Sequence, residues 1–391
     1  MATGRTSTVT ERAPVTMSSS TLATAVRQVR TMVVRMPLPR PLPVGNRIIT
    51  HRDYAVLQID TNDGITGKAY CLSRGAPMSE IVHSLLTPHI DAQDTDDVES
   101  IWMSMLRGSA TVGRVGLVRK AIGLVDIALW DIAAQRAGRP LWQLLGNDDR
   151  PRRTMLVAAY TSPDRTARQT ADELLAAATA GWRLMKTTRS ADRRLMRNLF
   201  ELLGDELPSD AKLVVDANFA WQTPDEALAD IEAWSPPPLA WLEDPVLPEQ
   251  VAACARIRSE SGQRVGVGDE VTDPTLFDRL IDARAIDVLR LDVVAIGGIT
   301  PARGIQRQAR ESGLDVSCHV YPEIAVHLGA DIETFARGIG GNPYDPLPAI
   351  VDGGPDFGVG TATPPPAPGL GFDLCPELDS SAVVISRDGG A

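Results

Sequence analysis

Residues Val214–Pro245, VVDANFAWQTPDEALADIEAWSPPPLAWLEDP, hold one repeat of the pattern that decides the fold. The apolar run Leu213–Asp216 ends on a carboxylate, the amphipathic segment Pro224–Trp234 follows, and a second apolar run, Ala240–Glu243, ends on another carboxylate. A short apolar strand, a helix of period 3.6 and a second short strand make a βαβ unit with parallel strands. The texture continues on both sides: Met155–Ala159, Leu184–Thr187, Val265–Gly268, Asp287–Leu291 and Val316–His319 read as further strands, with helices such as Thr170–Ala180 between them. Seven or eight such units over about 200 residues predict a closed (β/α)7–8 barrel of the TIM type, an α/β fold, rather than a doubly wound sheet. No Gly-rich phosphate loop follows any strand, and Gly297-Gly298 is a lone turn, so nucleotide binding is not expected.

Upstream the pattern differs. Thr31–Arg35, Tyr54–Asp60 and Ile65–Tyr70 have strand character, with the hairpin turn Asn62-Asp63-Gly64 between the last two. The segment 77–145 is helical, its clearest run being Val118–Ala137, ended by Gly138-Arg139-Pro140. The expected organisation is a disordered tail over 1–22, an α+β cap over 23–150, the barrel over 151–352, and a Gly- and Pro-rich segment over 353–391 that returns to the cap.

The 391 residues are 43% hydrophobic and 23% charged, ordinary values for a globular chain. A formal charge of −11 argues against nucleic acid as a partner. No apolar stretch approaches the roughly 18 residues of a membrane span, and the first 20 residues lack the apolar core of a secretory signal. The four scattered cysteines, Cys71, Cys254, Cys318 and Cys375, fit reduced thiols. A cytoplasmic location is expected.

The polar residues fall in informative places. Lys186, Asp216, Glu243, the pair Asp269-Glu270, Asp292 and His319 each close an apolar run, at intervals of 23 to 30 residues. One βα unit has that length, so each belongs to a successive strand, and strand C-termini of a barrel converge on one face. An isolated carboxylate there is more often a helix cap. Three in succession repel one another unless a cation neutralises them, and an all-oxygen set suits Mg²⁺. Asp216, Glu243 and either Asp269 or Glu270 are therefore the metal candidates, with Asn218 beside the first. His319 alone reads as a core histidine. With Asp292 one strand earlier to fix its tautomer it becomes a general acid/base. Lys186 is placed to polarise a carboxylate.

Together these segments resemble the enolase superfamily, specifically its mandelate racemase-like branch with the acid-sugar dehydratases. VDIALWDIAAQRAGRPLWQLLG (Val125–Gly146), VVDANFAW (Val214–Trp221), WLEDP (Trp241–Pro245), DVLRLDVVAIGGIT (Asp287–Thr300) and SCHVYPEIAVHL (Ser317–Leu328) carry the resemblance. It implies one Mg²⁺ on Asp216, Glu243 and a residue of the Asp269-Glu270 pair, and an Asp292–His319 dyad that removes the proton α to a carboxylate through an enediolate. It also implies a cap whose loops, near His51 and Tyr54, set substrate choice, and a homo-oligomer. Asn218, Thr188 and Glu323 join His51 and Tyr54 as candidate substrate contacts. Two departures stand out. The usual Lys-X-Lys reads Lys186-Thr187-Thr188, and the last-strand glutamate has no clear match, Glu333 falling early and Arg337 nearer the expected place. With one base the expected reaction is dehydration of an aldonate or aldarate. The alternatives are a 2-hydroxy acid racemase or epimerase and a non-catalytic carboxylate-binding barrel.

Overall fold

The computed structural model of the chain describes residues 23–44, 47–91, 93–162, 164–204, 206–334, 350–375 and 383–389. The tail expected over 1–22 and Arg337 lie outside them. Strands β1 (Val26–Val44), β2 (Arg47–Thr61) and β3 (Thr66–Leu72) form an antiparallel sheet. Gly64 turns the β2–β3 hairpin at φ +86°, a conformation that disfavours any side chain. The sheet packs on the helix Leu117–Arg136, whose Ile122, Val125, Leu129 and Ile132 are buried.

Two acids of that helix fasten the cap. Asp126 accepts hydrogen bonds from Thr300 N (3.0 Å) and Oγ1 (2.6 Å), at the start of the barrel helix Ile299–Glu311. Its carboxylate occupies the space where Gly298 would carry a Cβ, which would stand 2.2 Å from Asp126 Oδ2. The Gly297-Gly298 turn is thus one place where cap and barrel touch. Asp131 accepts from Lys68 N (3.0 Å) on β3 and Leu370 N (2.8 Å).

The barrel comprises β4 (Arg152–Val157), β5 (Leu184–Thr188), β6 (Lys212–Asp216), β7 (Trp241–Glu243), β8 (Val265–Val267), β9 (Val288–Leu291), β10 (Asp315–Cys318) and β11 (Asp331–Thr334). All neighbours are parallel, and β11 pairs with β4 to close an eight-stranded ring. The strand the sequence reading lacked is β11. Because side chains alternate along a strand, the interior is layered. Met155, Leu184, Val214, Trp241 and Val288 form a buried apolar lower layer. Two residues further along their strands come Lys186, Asp216, Glu243 and Arg290. Gly266 leaves room for Trp241, since a Cβ there would lie 2.5 Å from the indole.

The C-terminal segment serves the barrel before it reaches the cap. Strands β12 (Val351–Gly353) and β15 (Phe372–Leu374) pair with each other, while β13 (Asp356–Gly358) and β14 (Thr361–Thr363) form a hairpin. β14 pairs antiparallel with Arg152 and Arg153, satisfying the start of β4, which would otherwise be an open edge. Among the described residues of this segment, β16 (Val383–Gly389) joins the cap sheet, antiparallel to β1.

Candidate active site

The upper layer of the barrel is ionic, and its order follows from the strands. The Lys186 ammonium on β5 lies 2.6 Å from Glu243 Oε1 on β7, 2.8 Å from Glu333 Oε2 on β11 and 3.7 Å from Asp216 Oδ2 on β6. Arg290 on β9 places Nε 3.0 Å from both Glu243 Oε2 and Asp269 Oδ1, and donates through Nη1 to Ser317 Oγ (2.7 Å) and through Nη2 to Glu333. Trp241 Nε1 donates to Glu243 Oε2 at 2.8 Å. Asp216, Glu243 and Asp269 therefore lie along an arc of successive strand ends with a cation between each neighbouring pair.

Charge and burial compete here. Burial pushes the Asp216 carboxyl up to about 6 against the pull of Lys186, and Asp269 up to about 7 against Arg290 and His319. Glu243 is equally buried, yet Arg290 and Lys186 hold it down at about 2. For Lys186, burial is outweighed by Glu243, Glu333 and Asp216, and its pKa rises. The donor chemistry fits a hard divalent ion: adjacent, buried, all-oxygen carboxylates that their own cations leave partly uncompensated.

His319 follows β10. Its Nδ1 lies 3.2 Å from Asp292 Oδ2 and its Nε2 lies 3.4 Å from Asp269 Oδ2. Asp292 is itself pinned, since its Oδ1 accepts from Val294 N (3.0 Å) and Ala295 N (2.8 Å). Burial opposes the imidazolium, but Asp269 and the Asp292 hydrogen bond outweigh it and raise His319 to about 9. Asp269, His319 and Glu333 offer ligand atoms within 4.8 Å of one another, as do Glu270, Asp292 and His319.

The Asp269-Glu270 pair divides between two environments. Asp269 faces the barrel interior, whereas Glu270, at φ +62°, turns to the cap and pairs with Arg74 and Lys120. Asn218 holds Asp216 through its backbone N–H (2.8 Å). Thr188 Oγ1 accepts from Thr161 N at 3.0 Å and lies 3.0 Å from Thr161 Oγ1.

The remaining substrate-contact candidates lie in three different settings. Tyr54 is 2% exposed and packs edge-on to Tyr70 inside the cap core, because the alternation of β2 points it inward. His51, 42% exposed, lies 3.7 Å from Asp53 on the same strand. Glu323 is buried and accepts from Tyr70 OH, a cap–barrel contact. The last-strand acid is corrected: Glu333 is on β11 and points inward, its crossover from β10 being only the short turns Pro322–Ala325 and Val326–Leu328. Arg290, Arg74 and Lys120 were missed. Arg290 had one signal, its position two residues before Asp292 and so on the same inner face.

Comparison with known proteins places the chain in a family. A family model described as the mandelate racemase / muconate lactonizing enzyme N-terminal domain matches residues 26–146, and one described as enolase C-terminal domain-like matches 169–378. The chain belongs to the mandelate racemase/muconate lactonizing enzyme family of the enolase superfamily. Within that family it is 31% identical over 350 residues to 3,6-anhydro-alpha-L-galactonate cycloisomerase of Streptomyces coelicolor, covering 84% of this chain and 93% of that protein. It is 28% identical to L-talarate/galactarate dehydratase of Salmonella typhimurium, covering 75% and 76%. A racemase of Streptomyces coelicolor, solved with bound magnesium, superposes with TM-score 0.81 at 26% identity over 89% of this chain and 97% of that one. Among the described residues no helix is long and apolar enough to cross a membrane.

Proposed function

We propose that this family member removes the proton α to the carboxylate of an acid sugar and expels a β-oxygen, with Mg²⁺ as cofactor and dehydration of an aldonate or aldarate as the leading case. The observation that carries the reading is that, among the described residues, one base is well set. Asp292 orients His319, whereas β5 ends in Thr188, a hydroxyl already bonded to Thr161. Asp216, Glu243 and Asp269 would hold the metal; Glu270 is assigned to the cap instead. Bound there, Mg²⁺ supplies a Lewis acid beside the substrate carboxylate.

The steps follow from the residues. His319, in its neutral form, takes the α-proton, and the C–H electron pair moves toward the carboxylate. Lys186, a buried permanent cation, opposes the charge that develops there. The pair then forms the Cα–Cβ double bond as the β-C–O bond breaks, and the imidazolium returns its proton to the leaving oxygen, giving water. The resulting enol tautomerises to a 2-keto-3-deoxy acid. A second reading, ring opening with a ring oxygen as leaving group, is favoured by the 31% identical cycloisomerase. The test is incubation of the Mg²⁺-loaded protein in D₂O with a panel of aldonates, aldarates and their cyclic forms. A 2-keto-3-deoxy product supports elimination. Exchange of the α-hydrogen without a keto product, or a panel left wholly unconsumed, overturns it.

A further inference from the structure

Two cations from the cap reach the barrel mouth and are not needed by any step above. Arg74, after β3, and Lys120, on the helix Leu117–Arg136, both pair with Glu270. Glu270, Asp292 and His319 offer atoms within 4.8 Å of one another, so the cations stand one carboxylate beyond the dyad. Two full charges face the Glu270 carboxylate, with Asp292 the next acid within their reach. Arg74 also remains 51% exposed, and only Nη2 of its guanidinium has a partner among the described residues. The remaining N–H groups of a planar fork are suited to a second carboxylate.

We propose that Arg74, backed by Lys120, binds the distal carboxylate of the substrate, which makes the preferred substrate a six-carbon sugar diacid rather than an aldonate. The inference rests on the acid-sugar reading above. The spacing agrees with it. The dyad and the cations share Glu270 as a neighbour, its carboxylate within 4.8 Å of His319 and paired with both cations. From C2 of a hexarate to its far carboxylate is about 5–6 Å, four carbon–carbon bonds of about 1.5 Å in zigzag. A substrate whose α-carbon meets His319 is long enough for its far carboxylate to reach Arg74. An aldonate ends there in a hydroxymethyl group and leaves the cationic pair facing an uncharged end.

The experiment compares kcat/KM on galactarate and galactonate, and on glucarate and gluconate, for the Mg²⁺-loaded protein and for Arg74→Met and Lys120→Gln, with direct binding of each acid measured by calorimetry. The diacid is expected to be favoured, and the diacid-to-monoacid ratio to fall roughly 30- to 100-fold in Arg74→Met, mainly through KM and calorimetric affinity. A smaller fall is expected in Lys120→Gln. Turnover of aldonates with no preference for aldarates, or a ratio unchanged by Arg74→Met, overturns the inference and leaves the elimination reading standing. Diacids that bind with the Arg74-dependent preference but are never turned over support the subsite and remove the elimination reading instead.

Discussion

The Arg290 guanidinium and the Glu243 carboxylate lie 3.0 Å apart with both side chains 0% exposed. A pair this deep is an assembly device more than a source of stability, because desolvation consumes much of its Coulombic gain. The asymmetry appears when one partner is removed. Arg290→Met takes from Asp269 its guanidinium partner and leaves Glu243 and Glu333 to Lys186 alone, and should destabilise the protein by about 3–5 kcal/mol, read from denaturant midpoints. Arg290→Lys should recover only part, since one ammonium cannot reach the same four partners.

The dyad predicts a paired loss. His319→Asn should lower turnover by on the order of 10²–10⁴ and lower α-hydrogen exchange in D₂O equally, because both need the same base. Asp292→Asn should cost on the order of 10-fold or more by releasing the ring from its tautomer, with Mg²⁺ affinity nearly unchanged. Turnover undiminished in His319→Asn would remove the histidine from its role.

Metal dependence is tested at the acid arc. Chelation should abolish turnover, and Mg²⁺ should restore it. Asp216→Asn and Glu243→Gln should each weaken Mg²⁺ binding, measured by calorimetry, by more than the roughly 10- to 100-fold typical of residues one shell out. Glu270→Gln should not, since its carboxylate pairs with the cap.

His327 gives the stability a pH signature. Its Nδ1 accepts from Trp142 N (3.1 Å) and its Nε2 lies 3.1 Å from the Leu370 carbonyl, so only the neutral Nε2–H tautomer satisfies both. Burial lowers its pKa from 6.5 to about 4. The unfolded chain therefore takes up a proton that the folded one refuses. The stability this neutral histidine preserves is whole above pH 6.5, declines as pH falls, and levels off near pH 4 after a loss of about 3 kcal/mol. His327→Gln should flatten that slope relative to the parent in denaturant titrations at each pH.

Gly266→Ala is expected to destabilise by about 1–3 kcal/mol, the usual cost of overpacking, and to displace Trp241 from Glu243. Tryptophan fluorescence and Mg²⁺ affinity should change together.

How much of the site was legible depended on whether its signal was local. Asp216, Glu243, Asp269, Asp292 and His319 each close an apolar run at the spacing of one βα unit, and that spacing is visible without coordinates. Glu333 broke the rule. It follows His319 by 14 residues because two short turns replace the last crossover helix, so a reading tuned to full units looked further on, toward Arg337. Arg290 sat inside an apolar strand, where a charge reads as an interruption until strand parity places it inward.

The sequence by itself determined the barrel, the acids and the dyad, because strand period, helix period and repeat length are written in neighbouring residues. Only the tertiary structure decided which of Asp269 and Glu270 faces the barrel interior, and that Arg74 and Lys120 arrive at the mouth from the cap. Those outcomes turn on a left-handed backbone at Glu270 and on contacts between residues 150 or more positions apart, which no local pattern encodes.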